Sequence, residues 1–93
     1  MQVEWSRQAY ADFEEACFFI ARNNPAASER LALRVHEAIV NLSLFPKLGK
    51  IGRKENTREF VLPSMPFTII YQIRDEVLGI MRVMHHKRQW PIH

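Results

Sequence analysis

Residues 77–91, VLGIMRVMHHKRQWP, decide how the rest of the chain is arranged. The segment begins with branched and apolar residues, which favour an extended strand, and it ends in polar and aromatic side chains. That terminal cluster comprises His85, His86, Lys87, Arg88 and Trp90. We therefore interpret the segment as a long strand that carries a functional cluster, with the preceding residues as its scaffold.

Two more strands are predicted immediately before this segment. TREFVL (57–62) and FTIIYQI (67–73) are rich in β-branched and aromatic residues, and short polar breakers separate them from each other and from the last strand. Connections of this length are typical of hairpins. The three strands should therefore pair antiparallel in chain order.

The N-terminal half predicts one strand and two helices. Gln2–Trp5 alternates apolar and polar residues as a short strand paired inside the sheet would. Ser6 is a good N-cap, and the apolar residues that follow have helical spacing to about Asn23. Asn24-Pro25 then starts a second helix, which should run to about Leu44.

These elements combine into one fold prediction. The short link between the helices predicts an antiparallel helical hairpin. The element order is βααβββ, an α+β domain in which the hairpin packs on one face of a mostly antiparallel, twisted, four-stranded sheet. We expect residues 1–93 to form a single domain, because the length allows one core and no internal repeat is present.

Composition narrows the class of protein. No apolar run approaches the roughly 20 residues of a membrane span, and the first residues do not resemble a signal peptide. The single cysteine, Cys17, cannot form an internal disulfide, and we interpret it as a small core residue. We therefore expect a cytoplasmic protein that does not act at a membrane.

Positive charge is concentrated in the second half of the chain. Residues 1–46 carry a net −2 and residues 47–93 a net +5, which together give the +3 of the whole chain. The segment 47–56, KLGKIGRKEN, is predicted to be a loop, with a candidate phosphate-contacting edge formed by Lys47, Lys50, Arg53 and Lys54. The alternative is a flexible connection that is basic only because it is exposed.

Strand alternation predicts which side chains of the last segment act together. An extended backbone would place Leu78, Ile80, Arg82, Met84 and His86 on one face, and the same count adds Arg88 and Trp90. His85 would point to the other face. Arginine, histidine and tryptophan suit work on a phosphodiester, because they can neutralise charge, exchange a proton and stack on a base.

The same side chains also have other interpretations. Tryptophan and arginine commonly anchor protein interfaces. Arg82 alone suits a salt-bridged sheet residue, and Trp90 alone suits a cap on the edge of the core. Glu59 is interpreted as an ion-pair partner of its neighbour Arg58 rather than as a general base. Adjacent histidines on a strand point to opposite faces, so we predict no metal site, and no cofactor is expected.

The order of these motifs resembles the RelE/ParE toxins of type II toxin–antitoxin systems. The resemblance covers almost the whole chain and rests on Gly52-Arg53, Thr57-Arg58-Glu59, Ile70-Tyr71-Gln72-Ile73, Arg82-Val83-Met84-His85 and Arg88-x-Trp90-Pro91. It implies a growth-inhibiting toxin of a plasmid-stabilisation module, held inactive by a cognate antitoxin protein. It also implies that operator DNA is bound only through the antitoxin.

The family divides by target, and this chain keeps few residues of the RelE-like branch. RelE-like members cleave ribosome-bound mRNA with basic residues, and those positions fall here on Glu59, Val61 and Thr68, while the terminal arginine is kept as Arg88. A metal-independent endoribonuclease would have only His86 and Arg88 as good acid and base candidates.

The ParE-like branch, which inhibits DNA gyrase, is favoured by these losses. The residues expected to contact the target are Lys50, Arg53, Lys54, Arg58, Arg82 and Trp90. A non-toxic relative that only binds an antitoxin is a third interpretation.

Overall fold

A computed structural model describes residues 1–87 of the chain. Within them, two helices and five strands follow one another as β1 (Gln2–Trp5), α1 (Arg7–Ala21), α2 (Pro25–Leu44), β2 (Lys50–Ile51), β3 (Arg58–Val61), β4 (Phe67–Arg74) and β5 (Val77–His85). The sheet order is β1-β5-β4-β3-β2. Only the β1–β5 pair is parallel among these strands. The α+β class and the helical hairpin are confirmed.

The predicted number of strands is corrected from four to five. The additional strand, β2, lies inside the segment that was predicted to be a loop, and it pairs Lys50 with Glu59 and Ile51 with Arg58. Two residues are too few to produce a recognisable period, so the basic composition dominated the sequence pattern. β1 is also corrected, because it lies at an edge of the sheet rather than inside it.

Local hydrogen bonds explain where the helices begin. The Ser6 hydroxyl accepts the Ala9 N–H at 2.9 Å and donates to the Met81 carbonyl at 2.8 Å, so this residue caps α1 and also ties it to β5. The Asn24 side chain accepts the Ala27 N–H at 3.1 Å, and Pro25 occupies the first turn of α2. Helix α1 ends at Ala21, two residues before the predicted boundary.

The core lies between the helices and one face of the sheet. Fully buried side chains from α2 and from β4 and β5 form its centre, namely Leu31, Val35, Leu42, Ile69, Tyr71, Leu78 and Ile80. Burying one such aliphatic side chain contributes about 1.5–3 kcal/mol, so this layer supplies most of the driving force for folding. Cys17 is partly buried at the margin of the core, where burial raises the pKa of its thiol.

A β-bulge changes the face on which the end of β5 points. Tyr71 pairs with Ile80 but Ile70 pairs with Arg82, so Met81 is the extra residue. Val83 therefore joins Leu78 and Ile80 in the core, whereas Met84 packs with Ile70 on the opposite face. The predicted single face of Leu78, Ile80, Arg82, Met84 and His86 is wrong beyond Ile80 for this reason.

Candidate functional site

The outer face of the sheet, defined as the face opposite the helices, is mainly apolar around its centre. Ile70 and Met84 are buried there, and Met81 packs against them. The neighbouring cross-strand row consists of Val61, which is half exposed, paired with Thr68. Aliphatic and thioether side chains cannot transfer protons, so the centre of this face offers contact area rather than acid–base chemistry.

The two histidines at the end of β5 have different surroundings. His86 Nε2 lies 3.1 Å from the Thr68 hydroxyl, and its backbone N–H donates to the Pro66 carbonyl at 2.8 Å. His85 instead packs edge-on against Phe67, with ring centroids 5.1 Å apart. Burial, and the positive charge of Lys87 and His86, lower the pKa of His85. His86 is thus the exposed histidine beside the outer face.

Arg82 is part of a structural ion pair. Its Nε lies 2.7 Å and one terminal nitrogen 2.9 Å from the Asp12 carboxylate, and both side chains are largely buried. Asp12 Oδ2 also accepts the Val83 N–H at 3.0 Å. Hydrogen bonding to Asp12 raises the pKa of Arg82. Of the two interpretations of this arginine, the structure supports the salt bridge, and the guanidinium holds α1 against β5.

Asp12 is a structurally important residue that the sequence analysis missed. It lies on the same stripe of α1 as Ala9, three residues earlier, and Ala16, four residues later, and is buried with the first of them. A carboxylate on a core-facing stripe needs a partner, because an unpaired buried charge is costly. That position was the signal that could have identified it.

Glu59 organises the basic loop. Its carboxylate, 3% exposed as a residue, accepts the Arg53 backbone N–H at 2.9 Å and a guanidinium N–H of the same residue at 3.3 Å. Burial alone would raise the pKa of Glu59, but the bonds from Arg53 and the charge of Lys50 outweigh it and lower the pKa overall. The predicted partner, Arg58, is corrected to Arg53, because neighbours on a strand point to opposite faces.

Arg58 is fixed at the other face of β3. Its guanidinium donates to the Gly49 carbonyl at 2.7 Å. The buried Tyr71 hydroxyl accepts the Gly49 N–H at 2.9 Å and donates to the Pro46 carbonyl at 2.7 Å. Burial raises the pKa of Tyr71, which keeps the hydroxyl protonated as a donor. The Arg58 guanidinium is thus held by Gly49, whose backbone N–H and C=O groups are both hydrogen-bonded.

Two concave surfaces flank the sheet. The first, which we call the cationic cleft, contains Lys47, Arg58 and Arg74 together with Ile51 and Ile73. The second, the apolar groove, lies between the helical hairpin and the turn before β4. Its lining includes Ala16, Phe19, Ile20, Leu31, Met65 and Val83, with Glu15, Arg30, His85 and Lys87 among the charged or polar residues.

The predicted site residues divide into separate groups. Lys50, Arg53, Lys54 and Arg58 lie together around β2 and the start of β3. His86 lies beside Thr68, which pairs with the last residue of β3. Of the cluster predicted from alternation, Arg82 is bonded to Asp12 and His86 lies beside Thr68. Arg88 and Trp90 lie outside the described residues.

Residues 1–87 contain neither a group of metal-ligating side chains nor a helix that could span a membrane. In this range, no three His, Cys, Asp or Glu side chains are grouped so that they could hold a metal ion. Neither described helix is long and apolar enough to cross a membrane.

Comparison with known proteins identifies relatives along almost the entire chain. Residues 3–90 match the family described as "ParE toxin of type II toxin-antitoxin system, parDE". The chain is 34% identical to "Putative toxin Y4kP" of Sinorhizobium fredii over 97% of its own length and 93% of that protein. It is 31% identical to "Toxin RelE2" of Caulobacter vibrioides, over 94% and 97% of the respective lengths.

A solved structure shows the same fold. The chain is similar to a chain of the chromosomal ParDE toxin–antitoxin system from P. aeruginosa, with a TM-score of 0.81 and 18% sequence identity. The similarity covers 91% of this chain and 95% of that one. The hairpin and the five-stranded sheet are therefore a fold that is shared with proteins of this kind.

Proposed function

The chain belongs to the ParE toxin family of type II toxin–antitoxin systems, and we propose that it inhibits growth by acting on DNA gyrase. On this proposal it works as a binding protein and has no catalytic step of its own. A cognate antitoxin protein neutralises it, and operator DNA is recognised only through that antitoxin. Because gyrase and genomic DNA share the bacterial cytoplasm, we propose the same location for this chain.

The outer face of the sheet is the observation that carries this choice of target. The resemblance places the basic residues of RelE-like nucleases at positions that are here Glu59, Val61 and Thr68. The carboxylate of Glu59 is bonded to Arg53, and the centre of the face is occupied by Ile70 and Met84. General acid–base cleavage requires groups that can donate and accept protons at the reacting oxygens. Such a set is absent from the described part of this face, which supports a contact function.

The proposed contact residues are basic side chains near β2 and β3. Lys50 lies in β2, Lys54 in the loop that Glu59 anchors through Arg53, and Arg58 at the start of β3. Arg53, which bonds Glu59, and Arg82, which bonds Asp12, support this surface by holding the basic loop and strand β5 in place. Trp90 and Arg88 remain proposed contact residues and lie outside the described range. Charged side chains of this kind steer association and fix orientation at an interface.

We propose that the antitoxin binds in the apolar groove. Phe19 is 64% exposed at this groove, and Ile20 and Met65 lie beside it. An amphipathic segment of a partner could bury these side chains and pair its charges with Glu15 or Arg30 at the rim. This binding site is distinct from the basic loop, so substitutions can alter antitoxin binding and target contact separately.

A second candidate function is cleavage of mRNA on the ribosome. The observation that favours it is the short contact between His86 Nε2 and the Thr68 hydroxyl, which orients a titratable group beside the outer face. In this alternative, His86 would accept the proton of the ribose 2′-hydroxyl, whose oxygen would attack the adjacent phosphorus. Arg88 or water would donate a proton to the 5′-oxygen that leaves. A relative named Toxin RelE2 is 31% identical to this chain.

Induced expression of the chain alone tests the choice of target. We expect growth arrest, mRNA that primer extension shows to be intact, and full toxicity of His86→Ala. The matched change His85→Ala controls for loss of an adjacent imidazole. Codon-phased mRNA cuts that disappear in His86→Ala would transfer the function to the nuclease class. Normal growth with soluble, folded protein would instead support the non-toxic, antitoxin-binding relative.

A further inference from the structure

The cationic cleft gathers positive charge from three different elements. Lys47 follows α2, Arg58 belongs to β3, and Arg74 ends β4. Among residues 1–87, no Asp or Glu side chain lines this cleft, and none of the three cations forms an ion pair with a described carboxylate. Cations that converge without opposing charge create a positive potential that attracts an anionic ligand.

One of the three cations is held in place before any ligand binds. The Arg58 guanidinium uses one N–H to bond the Gly49 carbonyl at 2.7 Å. Gly49 is in turn fixed by the Tyr71 hydroxyl, which is bonded to the Pro46 carbonyl. The remaining N–H groups of Arg58 are then available for an acceptor without a large loss of side-chain freedom. Gln72 and Asn56 add amide groups to the same lining.

The backbone at this sheet edge argues against an acidic peptide strand as the ligand. Strand addition requires a row of unpaired N–H and C=O groups. Gly49 has both its groups bonded, and the Gly52 N–H donates to the Thr57 carbonyl at 2.8 Å. The antiparallel register leaves only the groups of Ile51 directed away from β3 in this short strand. One residue cannot support a ladder, whereas the three cations can follow a chain of phosphates.

We propose that the cationic cleft binds the phosphodiester backbone of nucleic acid through Lys47, Arg58 and Arg74. Which nucleic acid is bound in the cell rests on the proposed function, because a gyrase complex presents duplex DNA whereas a ribosome presents single-stranded RNA. Phosphate contacts of this kind position a protein without reading base sequence. The toxin thereby contacts the polynucleotide as well as the protein component of its target.

Fluorescence anisotropy with the full-length chain measures this binding without gyrase or ribosomes. The probes are a labelled 20-bp DNA duplex and a labelled 20-nucleotide RNA, each titrated at several KCl concentrations, which are about 50 to 200 mM. Lys47→Gln and Arg74→Gln test the cleft. Arg22→Gln removes the same charge from an exposed position at the end of α1, outside the cleft lining, and is the matched control.

We expect binding that weakens with salt and is independent of base sequence. Each cleft substitution makes the negative slope of log K against log salt shallower by about 0.9 on the duplex. The double variant binds about tenfold more weakly than the wild type. Arg22→Gln changes the affinity less than about twofold. Preference for the duplex or for the RNA identifies which source of phosphate the cleft takes.

Three results would overturn the inference. They are no binding of either probe by the wild type, equal weakening by Arg22→Gln, and tighter binding of poly-L-glutamate than of both nucleic acids. Failure here with gyrase inhibition intact leaves the proposed function standing. Binding without gyrase inhibition contradicts the choice of target and leaves the cleft assignment standing.

Discussion

A single carboxylate connects the first helix of this toxin to its last strand. Asp12 bonds the Arg82 guanidinium at two nitrogens and also the Val83 N–H. β1 pairs with β5 only as far as Ile80, so α1 takes over the free edge of β5 beyond that point. The Asp12 carboxylate therefore accepts the Val83 N–H, which has no neighbouring strand to pair with at this edge of β5.

Removal of the Asp12 carboxylate should be strongly destabilising. Asp12→Ala leaves a buried guanidinium and a backbone N–H without their acceptor, and we expect a loss of about 3–5 kcal/mol in the free energy of unfolding. Urea denaturation measures it. Glu14→Ala, an exposed carboxylate on the same helix, should change the stability by less than about 0.5 kcal/mol. Equal effects of the two changes would contradict a structural role for the pair.

Glu59 should make the stability depend on pH in the acid range. The pKa of Glu59 in the folded chain lies below its ordinary value, so its contribution is present above about pH 4.5 and is lost as the pH falls through the folded-state pKa. Glu59→Gln cannot titrate. The difference in unfolding free energy between wild type and variant should be constant near neutral pH and shrink below about pH 4.5.

That difference can be followed by urea denaturation at a series of pH values. Carboxylates other than Glu59 titrate in both proteins and cancel in the comparison. A difference that stays constant down to pH 3, or grows, would show that the carboxylate is not held by Arg53.

At the scale of elements, the turn between β4 and β5 places two consecutive residues in a strained backbone conformation. Asp75 has a φ of 50° and Glu76 a φ of 62°, so both residues lie in the left-handed region that favours glycine. This geometry matches the right-handed twist of a two-residue hairpin loop. Two acidic residues therefore occupy positions where Asn-Gly or Asp-Gly would be the preferred choice.

Glycine at the second turn position should stabilise the protein. Glu76→Gly relieves a left-handed conformation in a residue with a Cβ, and we expect a gain of about 0.5–1 kcal/mol. Thermal unfolding measures the gain. Glu76→Ala removes the same charge but keeps the Cβ, so it should give no gain. A stabilisation by both changes would attribute the effect to charge.

The elements were predictable where their period was long and clear. The N-terminal strand, the capped helices and the three C-terminal strands all follow from spacing, caps and breakers. The bulge at Met81 left no trace in the sequence, because both faces of β5 carry apolar residues and a shift of one position preserves that pattern. The face assigned to Arg82 and Met84 failed for this physical reason.

The candidate site was predictable only in part, because its contacts are non-local. The basic segment before β3 was visible from composition, whereas the pairing of Arg53 with Glu59 depends on β2 and on the hairpin closing. Asp12 and Arg82 are separated by 70 positions. Arg74, next to an acidic turn, gave no sign in the sequence that it shares a cleft with Lys47.

At the scale of the whole molecule, three surfaces have separable tasks. The helical hairpin and the turn before β4 form the apolar groove that we assign to the antitoxin. The edge at β2 carries the positive charge that we assign to the target. The outer face is apolar at its centre, and on this feature we base the proposal of a contact function rather than a nuclease.

Supercoiling of relaxed plasmid by purified DNA gyrase tests whether the chain acts on gyrase rather than on mRNA. We expect the purified full-length chain to abolish supercoiling at near-stoichiometric amounts and the cognate antitoxin to restore it. His86→Ala should inhibit as well as wild type. Unimpaired supercoiling, together with cleavage of ribosome-bound mRNA by the same preparation, would contradict it.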